Sequence, residues 1–176
     1  HRPWAIVNAA GFVRVDDAER ERDACWRENV CAPVALARVC AAHGVRLATY
    51  SSDLVFGDAP HAPDEAPEPW LEHHDPVSPR NAYGASKAEA EAQVLALMPD
   101  ALVARTSAFF GPRDDWNFLT IALRELAAGR EFRALTDVTV SPTYVPELAE
   151  ATLDLLIDGA GGVWHLASAG AYTWYD

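Results

Sequence analysis

Tyr83 and Lys87 stand four residues apart in the stretch Asn81-Ala82-Tyr83-Gly84-Ala85-Ser86-Lys87. On an α-helix that spacing puts both side chains on one face. A phenol beside an ammonium is a proton-transfer pair. The cation favours the phenolate and is expected to lower the tyrosine pKa from about 10 towards the working pH. The same spacing arises on any amphipathic helix, so the pair gains meaning only from its company. Three other stretches provide candidates. Asn8-Ala9-Ala10-Gly11 follows a short apolar run, and its small residues let another group approach the backbone, or simply turn a strand into a helix. Ser51-Ser52-Asp53 places hydroxyls after an apolar run. Pro33 has no N–H for the carbonyl four residues back, so the Asn29 carbonyl is expected to be free for another partner, such as water, at a helix kink.

The elements that would position these residues follow from patterning. Trp4 to Val7 reads as a buried strand. Asp16 to His43 reads as helix in two pieces, with the longer running from Asp23 to His43, kinked at Pro33 and stopped by Gly44. Val45 to Tyr50 is the next strand, and Ser51-Ser52 lies at its carboxyl end, where ligands bind in open parallel sheets. The proline-, histidine- and acid-rich stretch from Asp58 to Arg80 reads as a long irregular loop. Asn81 can cap a helix running from Ala82 to Met98. Ala101 to Thr106 is a strand, Asn117 to Ala128 a helix, and Phe132 to Val140 holds one or two short strands. A helix from Pro146 to Ile157 has proline at its first position. Gly162 to Leu166 is a last strand, and Ser168 to Thr173 reads as a turn leading into a further helix. Strands alternating with helices through short connections predict an α/β fold with a parallel sheet.

The 176 residues carry a formal net charge of -12. That balance argues against nucleic acid and anionic membrane as partners, since both require a basic face. No apolar run reaches membrane-spanning length. Cys25, Cys31 and Cys40 are odd in number and fall in one predicted helical region, so they read as buried thiols of a reducing compartment. His73-His74-Asp75 is the densest set of potential metal ligands, but neighbouring histidines point apart and no second cluster supports them. No metal site is expected.

Taken in order, Asn8-Ala9-Ala10, Asn29-Val30, Ser51-Ser52-Asp53, Tyr83-x-x-x-Lys87 and Arg105-Thr106-Ser107 resemble the extended short-chain dehydrogenase/reductase superfamily. With Val15-Asp16-Asp17-Ala18-Glu19, Ser141-Pro142-Thr143-Tyr144-Val145-Pro146 and Trp164-His165-Leu166-Ala167, the chain resembles, more narrowly, the dTDP-4-dehydrorhamnose reductase family, almost end to end. The resemblance implies a partial Rossmann-type sheet with part of a small substrate-binding subdomain. Residues 1–110 would be the C-terminal portion of an NAD(P)-binding domain. Residues 111–176 would be mainly the substrate-binding part, with segments returning to the sheet and a truncated C-terminus. The implied activity is reduction of a nucleotide-linked 4-keto-6-deoxy sugar by NADPH or NADH, in the cytoplasm. Tyr83 would donate the proton, Lys87 would tune it and bond the nicotinamide ribose, and Ser52 would hold the ketone oxygen. The Asn29 carbonyl would hold a water beside Lys87. Asn8, Ala9, Ala10 and Ser51 would lie along the cofactor, Thr106 and Ser107 would approach the nicotinamide, and Asn117, Phe118, Pro142 and Thr143 would face the nucleotide-sugar.

The chain departs from the family pattern in three ways. The G-x-x-G-x-x-G turn that grips the cofactor pyrophosphate is absent from these residues, so the chain is expected to be an internal piece of a longer protein, inactive by itself. Leu54 stands where an aromatic often follows Ser-Thr-Asp, and Ala108 stands where tryptophan usually follows Arg-Thr-Ser. Both changes bear on the sugar pocket. The resemblance also leaves room for a regulatory relative like the regulatory subunit of methionine adenosyltransferase, for another extended-family epimerase or dehydratase, and for a homodimer or fusion to other domains.

Overall fold

The computed structural model describes residues 2–57, 69–72 and 75–176. Most of the proline-rich loop, and the His73-His74 pair considered as metal ligands, lie outside the described residues. The chain divides into two compact units: residues 1–105 with 154–165, and residues 106–153 with 166–176.

The first unit is built on a four-stranded sheet of order β1-β2-β3-β7. Its strands are β1 (Ala5–Asn8), β2 (Arg46–Ser52), β3 (Leu102–Thr106, whose last residue falls to the second unit) and β7 (Gly162–His165). β1 runs parallel to β2, with Asn8 opposite Thr49, and β3 runs parallel to β7, with Arg105 opposite His165. This is the expected α/β, Rossmann-type arrangement. Leu47, Leu102 and Val103 are sealed from water, as strands covered on both faces require. Each such leucine contributes on the order of 1.5–3 kcal/mol by its burial. A second set of apolar residues joins the helices to the sheet: Val34, Ala37 and Cys40 from the first crossover, and Val94 and Met98 from the second.

The first crossover is helical but not one kinked α-helix. α1 (Arg22–Trp26) passes into a π-helical turn (Arg27–Cys31) and then α2 (Ala32–His43), with Pro33 in the first turn of α2. The Ala32 N–H bonds the carbonyl of Arg27, five residues back. Widening the ladder by one residue places the proline where its missing N–H is least costly. Gly44 then ends α2 in the left-handed region at φ 62°, its N–H bonding the Cys40 carbonyl. Cys25 and Cys40 are buried as expected, whereas Cys31 is exposed, because the π-helical turn points it outward; all three are free thiols.

The second crossover is α3 (Ala82–Leu97), capped by Asn81, whose Oδ1 accepts from the Gly84 N–H. The second unit holds β4 (Phe109–Phe110), α4 (Phe118–Ala127), β5 (Thr139–Val140), β6 (Thr143–Tyr144), the start of α5 (Val145–Ile157) and β8 (Tyr172–Thr173). β4 pairs with β6 and β5 with β8. Tyr172–Thr173, at the end of the stretch expected to turn, forms a short strand whose backbone is satisfied by β5. Among the described residues, no helix is long and apolar enough to cross a membrane, and no group of three or more potential ligands could hold a metal ion.

Candidate active site

Tyr83 and Lys87 project from the first two turns of α3, Tyr83 buried and Lys87 half-buried. Two features of the local sequence put them there. Asn81 starts the helix one residue before Ala82, and Gly84 lets its first turn lie against the backbone of the turn Asp53–Val55. A Cβ at Gly84 would come within 2.0 Å of the Leu54 carbonyl oxygen. The helix carrying Tyr83 and the turn following Ser52 therefore meet backbone to backbone. Leu54, where the family favours an aromatic, packs on the cluster of Phe12, Cys25 and Tyr83.

The Lys87 ammonium donates to the Tyr50 carbonyl at 3.1 Å and lies 5.6 Å from the Tyr83 ring centroid. Burial pushes its pKa down, against the pull of Cys25 and Glu91. Burial also pushes the Tyr83 phenol up, to about 12, with Asp53 and Cys25 adding to the rise. This corrects the expectation that Lys87 lowers the Tyr83 pKa. The ammonium bonds the Tyr50 carbonyl and sits beside the ring, and burial of the phenol sets the direction of the shift. The phenol is held protonated, which is the form a proton donor needs.

Ser52 closes β2. Its hydroxyl donates to Asp53 Oδ1 at 2.9 Å and accepts from the Leu54 N–H at 3.1 Å. Ser51, one residue earlier, is buried with no hydrogen-bond partner for its Oγ. Asn8, Ala10, Asn29, Ser51 and Lys87 together line a small cavity of about 10 Å³, the room of one water molecule. Ala9, Ser52 and Tyr83 are not part of that lining.

Asn29 has a role that sequence reasoning missed. Its side chain, rather than only its carbonyl, ties the site together. Oδ1 accepts from the Phe12 N–H at 2.9 Å, while Nδ2 donates to the Phe12 carbonyl at 3.2 Å and to Ser86 Oγ at 3.0 Å. Ser86 Oγ–H in turn donates a hydrogen bond to the Tyr83 carbonyl at 2.6 Å. One amide thus staples the turn after β1 to the helix of Tyr83. Gly11 is the small residue this requires, since a Cβ there would lie 2.7 Å from Asn29 Oδ1. An asparagine buried in a helical run, with a glycine in the preceding turn, was the available signal.

In the second unit a cavity of about 310 Å³ is walled by Phe109, Phe110, Phe118, Tyr172 and Trp174, with Asn117, Val140 and Pro142. Of the residues expected to face a nucleotide-sugar, Asn117, Phe118 and Pro142 line it and Thr143 does not. Thr143 is buried, and its hydroxyl donates to the Ser141 carbonyl at 3.3 Å. Asn117 caps α4 through Thr120, and the Phe118 ring packs on Phe132 and Trp174. Ala108, in place of the family tryptophan, also borders this cavity, with φ at 38°. Tyr172 and Trp174 escaped notice because nothing in their local pattern places them against Phe118. Thr106, in this unit, is buried with its Oγ1 unpartnered, and Ser107 follows it in the chain, also buried.

The unpartnered Ser51 hydroxyl and the Lys87 ammonium thus belong to residues that share the wall of one small recess. Known proteins resemble the chain over nearly all of its length. A probable dTDP-4,6-dihydroxy-2-methyloxan-3-one 4-ketoreductase of Streptomyces antibioticus is 36% identical over 180 residues, covering 100% of this chain and 58% of that protein. A dTDP-4-dehydrorhamnose reductase of Mycobacterium tuberculosis is 39% identical over 171 residues, covering 96% of this chain and 55% of that protein. Among solved structures, a dTDP-4-dehydrorhamnose reductase of Clostridium acetobutylicum superposes with a TM-score of 0.89 at 30% identity, covering 99% of this chain and 59% of that one. One from Bacillus anthracis, in complex with NADP, gives 0.86 at 32% identity, covering 98% and 59%. The chain thus spans little more than half the length of these relatives. The profile described as the RmlD substrate binding domain matches residues 1–176, and the chain belongs to that family.

Proposed function

We propose that this chain carries the proton-transfer and substrate-contacting residues of an NAD(P)H-dependent reductase of a nucleotide-linked 4-keto-6-deoxy sugar. The observation that carries the reading is the seating of Tyr83 and Lys87 on one face of α3, Tyr83 packed with Leu54 of the turn after Ser52 and Lys87 bonded to the Tyr50 carbonyl of β2. Relatives named as reductases of dTDP-linked keto sugars support the substrate class.

In this reading Asn8, Ala9, Ala10, Ser51 and Lys87 lie along the dinucleotide, and Thr106 and Ser107 are the residues assigned to the nicotinamide. A reduced nicotinamide, when bound, supplies hydride to the ketone carbon. Ser52 turns its hydroxyl from Asp53 to the ketone oxygen and holds it. Tyr83, kept protonated by burial, gives its proton to that oxygen as the negative charge develops there, so the ketone gains one hydride and one proton. Lys87 stabilises the phenolate left behind, and a water in the recess beside Asn29 returns the proton through it. Asn117, Phe118 and Pro142, in the aromatic cavity of the second unit, are assigned to the nucleotide-sugar. The cavity's volume is within the range of small-molecule sites, and Thr143 supports its wall from the interior.

The test follows NADPH and NADH absorbance in the protein carrying this chain, against a panel of nucleotide-linked 4-keto sugars. Turnover of at least one sugar is expected, falling by about 10²-fold or more in Tyr83→Phe. Dinucleotide binding without turnover of any sugar, or an undiminished rate in Tyr83→Phe, overturns the reading.

A further inference from the structure

A second buried polar cluster lies where β3 and β7 end. Arg105 and Glu91, both nearly sealed from water, form a two-pronged ion pair, Nε to Oε1 at 2.9 Å and Nη2 to Oε2 at 2.7 Å. The remaining prong of Arg105, Nη1, lies 3.4 Å from His165 Nε2. A guanidinium offers only donors, so Nε2 is the nitrogen that accepts and carries no proton. The ring proton of the neutral imidazole is then on Nδ1, which lies 3.1 Å from the Trp70 carbonyl oxygen and donates to it. The His165 backbone N–H donates to Glu72 Oε1 at 2.9 Å. Both contacts reach the short segment Trp70–Glu72.

That segment bears on the site through one ring. Trp70 lies flat on Phe56, with centroids 4.6 Å apart and planes within 2°. His165 meets Phe56 edge-on at 5.7 Å, and the Arg105 guanidinium lies 5.0 Å from the same ring. Phe56 ends the turn Asp53–Val55, its N–H bonding the Asp53 carbonyl at 3.0 Å, and that turn follows directly from Ser52.

We propose that His165, as its Nδ1–H tautomer, is a positioning residue: it anchors the Trp70–Glu72 segment and, through Trp70 on Phe56, holds the turn that directly follows Ser52. The anchor itself does not depend on the reductase reading; only the role of Ser52 does. The charged groups facing the imidazole are Glu72 from the segment, Arg105 from β3 and Glu91 from α3. Burial pushes the His165 pKa below its ordinary value. Arg105 adds to that fall, while Glu72, the Trp70 carbonyl and Glu91 oppose it. Protonating Nε2 keeps the Nδ1–H donor but removes the acceptor for Arg105 and sets two cations against each other, so acid pushes the ring and the segment it holds away from Arg105.

Long-range proton–nitrogen NMR of histidine-labelled protein reads the tautomer directly, with His165 assigned by the signal lost in His165→Gln. The Trp70 indole N–H resonance, assigned by Trp70→Phe, reports the segment. The expected result is an Nδ1–H imidazole at neutral pH. On acidification its nitrogens and the Trp70 indole should titrate with one shared midpoint below the ordinary histidine value of about 6.5. Glu72→Gln, which keeps an acceptor for the His165 N–H but removes the charge, should move that midpoint lower. An Nε2–H tautomer, a midpoint at or above the ordinary value, or a Trp70 resonance indifferent to the His165 titration overturns the proposal. None of these readouts requires turnover, so their failure is separate from failure of the reductase assignment.

Discussion

Gly84→Ala puts the packing of the Tyr83 helix to a test with an unambiguous sign. Alanine is the better helix former by roughly 1 kcal/mol, so helix propensity alone predicts a more stable protein. Packing predicts the opposite. The new Cβ would stand 2.0 Å from the Leu54 carbonyl oxygen, 2.9 Å from the Leu54 carbonyl carbon and 3.1 Å from Pro79 Cβ. A carbon and a carbonyl oxygen normally approach to about 3.3 Å, so the start of α3 must retreat by roughly 1 Å. Two of the three obstructing atoms are backbone and cannot rotate aside. Overpacking of this kind costs about 1–3 kcal/mol. In a chain of 176 residues this lowers Tm by about 2–4 °C for each kcal/mol. Urea and thermal unfolding of wild type and Gly84→Ala measure the difference. Under the reductase reading the same displacement of Tyr83 costs about 10²-fold in rate. A variant as stable as wild type, or more stable, refutes the close approach of helix and turn.

Other expectations rest on separate contacts. The ultraviolet phenolate titration of wild type minus Tyr83→Phe should show one phenol ionising near 12, well above an ordinary tyrosine; a midpoint near 10 would mean that Lys87 offsets burial after all. Arg105→Ala leaves the Glu91 carboxylate buried and unpaired and should cost about 3–5 kcal/mol in urea unfolding, whereas the paired change Arg105→Met with Glu91→Leu should recover most of it. Asn29→Ala orphans the Phe12 N–H and should cost about 1–3 kcal/mol, with hydrogen exchange rising at Phe12 before the core of the sheet. Because the folded His165 pKa is lowered, its contribution to stability is present above about pH 6.5 and is lost as pH falls through the folded value. The Tm of His165→Gln should therefore approach that of wild type as the buffer is made acidic.

Much of the first unit is legible along the chain because its signals are local. Apolar runs with adjoining turns mark β1, β2 and β3, Asn81 and Gly44 mark the ends of helices, and the four-residue spacing of Tyr83 and Lys87 places them on one face whatever lies opposite. The order of these short stretches also carries the family. What opposes each residue is a matter of packing, and here local reasoning stops. The Tyr83 pKa depends on how much water the surrounding chain excludes, which a cation four residues away does not reveal. Pro33 alone suggested a kink, but it sits in the first turn of a helix because a π-helical turn widens the ladder before it. Tyr172 and Trp174 border the aromatic cavity only because β8 pairs with β5, a contact across more than thirty residues that no local periodicity records. The types of the reactive groups and their order along the chain are properties of the sequence. Their protonation, their partners and the shape of the space before them come from desolvation and from contacts between distant segments, which exist only once the chain has folded.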